Sequence, residues 1–370
     1  MGYEVVTHRS SNPKLPSAGS AQCAIPWWRT VTERRCRPVA LMLLFLGRRI
    51  LLAIPTLLII SIVAFLIIQL PPGDFVTVTV AQARESGSFL DEEEVAAMRK
   101  RYGIDQPVFV QYLKWLRNLV QGNLGVSFMW TKPIGKLVVE RLPWTLLLSS
   151  VSLVFVYLIA IPIGVLAATH QYSLSDYLAT FVGFVGLAIP NFLFALLFLW
   201  LFFLVSGKAV VGLFSQEYLS AEWSFAKFID LLKHLIIPVV VISTAGTAGL
   251  IRVMRANLLD ELKKQYVIVA RAKGLAERRL LFRYPVRIAV NPILSTIGWT
   301  LPGLVNGELL TALVLGLPTL APIFLQSLLT QDMYLAGSIV FILSTLTVIG
   351  TIISDLLLAW SDPRIRESAL

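Results

Sequence analysis

The side chains that usually carry catalytic or metal chemistry are few in this 370-residue sequence and lie far apart. The three histidines are His8, His170 and His234, and the two cysteines are Cys23 and Cys36. None of them has the spacing of a zinc site, and no HExxH, CxxC or GxxxxGKS/T pattern occurs. The sequence therefore predicts no metal centre and no ATP-hydrolysing loop, and we expect no catalytic residue and no cofactor on this chain.

Three polar side chains fall inside or at the edge of long apolar stretches. Ionisable groups in a membrane are costly and often functional. Asn306 and Glu308 end the fifth apolar stretch, and we consider them candidates for the wall of a transport path. The alternative is an interfacial carboxylate bonded to a neighbouring helix end. For Asp355 we favour that structural alternative.

The densest group of charges is Arg252–Arg287, which carries ten basic and three acidic residues. Its apolar residues recur at helical spacing, and Gly274 interrupts them. The pattern predicts two short helices that meet at a glycine turn and project as a knob. Two interpretations remain open. The knob docks a soluble partner, or it is a helical loop whose charge only fixes the orientation in the membrane.

The elements that must position these residues are membrane helices. The chain is 56% hydrophobic and 15% charged, whereas soluble domains are about 45–50% apolar and about 25% charged. The net charge is +10, but the basic residues separate apolar stretches, which favours topology signals over a nucleic-acid surface. Seven uncharged stretches approach the length of a membrane span: Ile50–Leu70, Pro143–Thr169, Tyr177–Val205, Leu235–Ile251, Ile288–Gly307, Leu309–Gln331 and Met333–Ser354.

We predict an all-α polytopic membrane protein with six spans. Leu309–Gln331 contains two prolines, so we interpret it as the end of the fifth helix followed by a loop or re-entrant segment. The residues before Ile50 and Arg252–Arg287 are strongly basic and belong in the cytoplasm, which places both termini there. The predicted organisation is a disordered tail (1–41), a first span (42–70), an extracytoplasmic helical segment (71–142), a membrane core (143–359) with a cytoplasmic loop (252–287), and a cytoplasmic tail (360–370).

Two further boundaries follow from local signals. In the extracytoplasmic segment, one helix should begin at Asp91 and end before Gly103, and a second should begin near Pro107 and end before Gly122. The first 41 residues lack the apolar core of a signal peptide, and Met42 would make an ordinary start for a membrane protein.

The segment Tyr266–Leu275 resembles the cytoplasmic loop of bacterial ABC importer permeases. The general pattern of that loop is Glu-Ala-Ala, three residues, then Gly. This sequence keeps Ala270 and Gly274, while Ile268 and Val269 replace the first two residues. It matches the form of the dipeptide/oligopeptide branch, close to Y-V-x-x-A-R-A-K-G-L. Further motifs agree in order from residue 42 to 366: Pro72–Asp74, Arg101–Pro107, Gly122–Gly125, Glu140–Pro143 and Asp362–Arg366.

The resemblance implies a permease of the bacterial inner membrane that imports peptides delivered by an extracytoplasmic binding protein. It also implies a second permease subunit and two ATPase subunits, which bind ATP and Mg, and no nucleic acid. A nickel chelate or an oligosaccharide is the alternative cargo within the family. An ion channel or a membrane-embedded enzyme is the alternative outside it. The residues that the resemblance assigns to ATPase coupling are Tyr266, Ala270, Arg271, Ala272, Lys273, Gly274 and Leu275.

Overall fold

The structure, a computed structural model, describes residues 27–69, 73–207 and 211–361. Within these ranges the chain has no β-strand beyond one isolated bridge, between Val126 and Pro133, so the all-α prediction is confirmed there. The α-helices in these ranges are α1 (Trp27–Gln69), α2 (Phe75–Glu85), α3 (Glu92–Tyr102), α4 (Val108–Val120), α5 (Ile134–Thr169), α6 (Leu174–Ala188), α7 (Asn191–Ser206), α8 (Phe225–Leu262), α9 (Gln265–Ala272), α10 (Glu277–Arg283), α11 (Pro285–Ser295), α12 (Ile297–Val314), α13 (Leu320–Leu329) and α14 (Met333–Ser361).

Four helices in the described part are long and apolar enough to cross a membrane. They are the part of α1 from Leu46, then α5, α8, and α14 as far as Leu358. The shortest has 24 residues, which at about 1.5 Å per residue exceeds a hydrocarbon core of about 30 Å. The chain is therefore a multi-pass membrane protein. α1 also includes residues 27–41, for which the sequence predicts a disordered tail, while residues 1–26 of that tail lie outside the described part.

The predicted span Tyr177–Val205 is not one continuous helix. Two helices, α6 and α7, bend by 103° at a short break. The break falls at Ile189 and Pro190, where Ile189 is extended with φ −94° and ψ 124°. Proline has no N–H to donate and disfavours a helical residue before it, which accounts for the bend. If this pair of helices is one span, the described part of the chain holds five candidate membrane spans. The total of six spans therefore stays a prediction.

The chain from 288 to 331 agrees with the prediction only in part, because the predicted fifth span, Ile288–Gly307, is divided between α11 and α12. α11 and α12 meet at Thr296, and α12 ends at Val314. A turn through Gly316 leads to α13, which has only 10 residues. The expectation that Leu309–Gln331 is not a span of its own is therefore confirmed. The last predicted motif, Asp362–Arg366, lies outside the described residues.

α5 and α8 form the centre of the bundle and extend over its whole height. The last turns of α5 pack around Met254 and Leu258 of α8, whereas its first turn packs against α13 and α14. The helices approach closely at Gly164, where an added Cβ would lie 2.6 Å from the Cβ of Met254. The knob that follows α8 and the segment that precedes α5 consequently lie at opposite ends of the molecule.

Helices α3 and α4 pack at the end away from the knob. Asp91 and Glu94 form a capping box on α3, and Gly103 ends that helix in the left-handed conformation at φ 68°. α4 begins after Pro107 and is followed by Gly122 at φ 75°. Both predicted helices are thus confirmed. α4 joins α1 and α14 through an aromatic cluster, since Trp115 lies 5.9 Å from Phe65 and 6.2 Å from Phe341 between ring centroids.

Candidate functional site

The loop after α8 folds into the two short helices that the sequence predicts. α9 and α10 are joined by a turn in which Gly274 has φ +78°. Its N–H donates to the carbonyl of Arg271 at 3.0 Å, and the N–H of Leu275 donates to the carbonyl of Ala270 at 3.4 Å. This left-handed conformation favours glycine. A Cβ added at Gly274 would meet nothing within 4 Å, so within this chain only the backbone conformation requires glycine there.

The α9–α10 knob has one face against the body and one apolar face exposed. Val267 of α9 and Leu280 of α10 are fully buried. By contrast, Ile268 and Val269 are 49% and 50% exposed, and Phe282 is 58% exposed. The knob therefore exposes three large apolar side chains within a strongly charged loop.

The charges of the knob are partly satisfied within it. Arg271 forms a bidentate ion pair with Glu277 across the glycine turn, with Nη2 and Oε2 3.2 Å apart. This pairing raises the pKa of Arg271 and lowers the pKa of Glu277. Among the residues described, Lys273, Arg278 and Arg279 have no ion-pair partner. Arg271 therefore braces the turn, whereas the other three cations take no part in an ion pair within the described residues.

Tyr266 connects the knob to the end of α8. Its hydroxyl donates to Oε2 of Glu261 at 2.6 Å. Burial and this carboxylate together raise the pKa of Tyr266, so it stays a neutral donor. Of the other predicted coupling residues, Ala270 and Leu275 are half-buried, while Ala272 and Lys273 are exposed on the knob surface.

Sequence reasoning missed an ion pair at the base of the knob. Arg255 of α8 donates from Nε and Nη2 to the two carboxylate oxygens of Asp176 on α6, at 2.6 and 2.8 Å. The N–H of Tyr172 also donates to Asp176 at 3.0 Å. Beside this pair, the guanidinium of Arg252 lies 4.7 Å from the ring centroid of Phe184 on α6. These contacts hold α6 to the half of α8 that leads into the knob.

Of the three polar residues predicted inside or beside the apolar stretches, the structure describes the side chain of one. Asn306 and Glu308 lie in α12, but their side chains are outside the described residues. Asp355 pairs with Arg49 at 3.1 Å and joins α14 to α1, which agrees with its structural interpretation. In the part of the chain described, no group of three His, Cys, Asp or Glu residues could hold a metal.

The structure combines membrane helices with a helical knob that exposes apolar side chains at one end of the bundle. The family comparison is more specific. Residues 160–367 match the family described as binding-protein-dependent transport system inner membrane component, and residues 42–149 match its N-terminal component. The chain belongs to this family and is a permease subunit of such a transport system, as the resemblance predicted.

The relatives match over nearly their whole length. The chain is 38% identical over 323 residues to the oligopeptide transport system permease protein AppB of Bacillus subtilis (strain 168), which covers 87% of this chain and 99% of that protein. It is 30% identical over 341 residues to the di/tripeptide transport system permease protein DppB of Pseudomonas aeruginosa (strain UCBPP-PA14), covering 88% and 99%. It is 29% identical over 342 residues to the dipeptide transport system permease protein DppB of Escherichia coli (strain K12), with the same coverage.

Proposed function

We propose that this chain is the membrane permease subunit of an ATP-driven ABC importer for di- and oligopeptides. The observation that carries the proposal is the match, over 87–88% of the chain, to permeases whose names specify oligopeptide, di/tripeptide and dipeptide transport. An extracytoplasmic binding protein would deliver the peptide, and no covalent chemistry would take place on this chain.

The assembly contains a second permease subunit and two ATPase subunits that bind ATP and Mg. The chain has six spans in the bacterial inner membrane, with both termini in the cytoplasm. Asn306 and Glu308 belong to the translocation path. The basic residues on both sides of the first four predicted spans support this orientation.

The α9–α10 knob is the element that receives the motion of the ATPase. Ile268 and Val269 provide its apolar contact, and the residues from Tyr266 to Leu275 form the docking surface. A lever must be rigid to transmit motion. The Tyr266–Glu261 bond, the Arg271–Glu277 pair and buried Leu280 supply that rigidity. Since α8 runs from the knob into the core, closure of the ATPases would move α8 and the helices packed on it.

The decisive experiment replaces Gly274 with aspartate in the assembled importer. Because a side chain at Gly274 meets nothing within this chain, the variant should insert normally. In a packed ATPase groove the added carboxylate would be buried unpaired, at a cost of about 3–5 kcal/mol. A cost of about 3 kcal/mol weakens docking more than a hundredfold, so peptide uptake and co-purification of the ATPase subunits should both be lost.

The matched control is Gly87→Asp, in the turn between α2 and α3. Gly87 has φ +79° and also has nothing within 4 Å of an added Cβ, but it lies outside the knob. Its variant should transport normally, as should Arg278→Ala, because an exposed charge contributes about 0–1 kcal/mol. If Gly274→Asp still transports peptide and still holds its ATPases, the docking role of the knob is wrong.

The orientation has its own test. A reporter that is active only outside the cytoplasm should work when fused near Asn123 and should fail near Lys264. Activity at Lys264 would reverse the proposed topology.

A further inference from the structure

A cavity lies at the end of the bundle opposite the knob. α3, α4, the loop between α4 and α5, and the first turn of α14 enclose about 440 Å³. Binding sites for small ligands are about 300–1,000 Å³, so the cavity is large enough for a small molecule of several groups. Nothing in the coupling or transport roles proposed above uses it.

The wall of this cavity is held rigidly. Asp332 is fully buried before α14 and accepts hydrogen bonds from Oγ of Ser127 at 2.6 Å and from the N–H of Met129 at 3.2 Å. The N–H of Ser127 donates to the carbonyl of Lys132, and the N–H of Ile134 donates to the carbonyl of Gly125, both at 3.0 Å. The loop is therefore a preformed surface, and the carboxylate of Asp332 that bonds to it is buried.

The lining combines aromatic rings with cations. Tyr102 and Tyr334 both contact Phe128, with ring centroids 4.6 and 5.1 Å from it. Arg101 of α3 and Lys114 of α4 also line the cavity, and neither has an ion-pair partner among the described residues. No acidic side chain is among the lining residues. The cavity therefore has the charge that suits an anionic ligand with an apolar group.

Asn118 of α4 adds a side-chain amide to the rings and cations of the lining, and it is exposed. A side-chain amide offers both a donor and an acceptor, which is the pair that a peptide group requires. A lipid phosphate would use the two cations but would leave the amide and the rings without a role. The lining as a whole fits a carboxylate, a peptide group and an apolar side chain in one ligand.

We propose that this cavity binds the carboxyl-terminal end of a short peptide. Arg101 and Lys114 take the carboxylate, Asn118 pairs with the last peptide group, and the rings of Tyr102, Phe128 and Tyr334 contact the terminal side chain. The inference rests on the proposed function, which supplies the peptide and places this end outside the cytoplasm. It assigns to the permease itself a peptide site on the face where substrate arrives.

The test measures binding of the tripeptide Ala-Ala-Phe to the full chain in phosphatidylcholine nanodiscs, by calorimetry and without the binding protein. The ligands are the free acid and its carboxyl-terminal amide. The variant is Arg101→Ala with Lys114→Ala. The matched control is Lys100→Ala with Lys136→Ala, which removes two positive charges at residues that do not line the cavity.

We expect the double variant to bind the free acid at least about tenfold more weakly, which corresponds to roughly one lost charge-assisted contact. The carboxyl-terminal amide should bind the unaltered chain about as weakly as the free acid binds the double variant. The control variant should bind the free acid with the affinity of the unaltered chain. Asn118→Leu should weaken both ligands equally, because it removes the contact to the peptide group and not the contact to the carboxylate.

Equal binding of acid and amide, or binding of the acid that does not depend on Arg101 and Lys114, overturns the inference. Two other results also overturn it. If the variant retains tripeptide binding but loses affinity for the binding protein, the cavity is a docking site. If the unaltered chain binds no tripeptide but binds phosphatidylglycerol through the two cations, the cavity is a lipid site. A measurement of peptide uptake by the whole importer separates this inference from the proposed function. If the importer takes up no peptide, the proposed function is contradicted, whatever the cavity binds.

Discussion

Replacing Arg255 with alanine is expected to release α6 from the half of α8 that leads into the knob. Arg255 and Asp176 make two parallel hydrogen bonds, and the Asp176 side chain is only 4% exposed while that of Arg255 is 28% exposed. Removal of Arg255 therefore leaves a buried carboxylate, whereas removal of Asp176 leaves a guanidinium that can reach water. The two single substitutions should have unequal costs.

The magnitude follows from this asymmetry. Loss of one partner from a fully buried pair costs about 3–5 kcal/mol. Asp176 keeps the N–H of Tyr172 and lies in the first turn of α6, where the helix dipole favours a negative charge. We therefore expect about 2–3 kcal/mol for Arg255→Ala and about 1–2 kcal/mol for Asp176→Asn. Arg255→Lys keeps the charge but not the bidentate geometry, so it should cost about 1 kcal/mol.

The assay is a double-mutant cycle on reversible unfolding of the purified chain in mixed micelles. Direct contact predicts a coupling energy of about 1–3 kcal/mol between Arg255→Ala and Asp176→Asn. The matched control is Arg252→Ala, which removes a neighbouring arginine whose contact with Phe184 should be worth about 0.5–1 kcal/mol. In the assembled importer, Arg255→Ala should also increase the ATP hydrolysed per peptide transported, because α6 no longer follows α8.

Additive effects within about 0.5 kcal/mol would show that the pair does not hold the two helices together. A larger loss for Asp176→Asn than for Arg255→Ala would refute the argument from burial. Unchanged stability with a changed ATP-to-peptide ratio would also contradict it, since the mechanism requires the structural contact first.

Two other substitutions test local packing and charge. Gly298→Ala should destabilise the contact of α12 with α14 by about 1–3 kcal/mol, because its Cβ would lie 2.8 Å from a backbone atom of α14. Gly249→Ala should be tolerated, because its Cβ would meet nothing within 4 Å. Equal unfolding midpoints for the two variants would contradict this prediction. Because Arg271 lowers the pKa of Glu277, the contribution of that pair is complete above the usual carboxyl pKa and is lost as the pH falls through the lowered value. The rate of amide hydrogen exchange in the turn, corrected for intrinsic rates, should therefore rise only in acid. Glu277→Gln should raise this exchange rate already at pH 7. If Glu277→Gln leaves the protection of these amides unchanged, the pair does not order the turn.

Features that depend on neighbouring residues were predictable from the amino-acid sequence alone. The length of an apolar stretch indicates a membrane span, because a helix satisfies its own backbone N–H and C=O groups where lipid offers no partners. The ends of α3 and the glycine turn of the knob were equally predictable, because capping and left-handed glycine are short-range effects. The family resemblance also rested on contiguous motifs, above all Tyr266–Leu275.

Proline shows where local reasoning stops. Pro162 lies inside α5 and Pro238 inside α8, and both helices continue. Pro190 instead divides α6 from α7 by a bend of 103°. All three occupy apolar stretches, so composition does not distinguish them. The outcome depends on whether neighbouring helices and local adjustments satisfy the freed carbonyl groups, which is a property of packing.

Which polar residues meet could not be predicted before the packing of the helices was known. Asp176 and Arg255 are 79 positions apart, and Ser127 and Asp332 are 205 positions apart. No periodicity links such pairs, because their distance depends on how whole helices cross and on which small residues let them approach. The cavity beside α3 and α4 has the same origin, since its lining comes from four separate segments. Sequence specifies the helices, and their packing creates the polar contacts and the cavity between them.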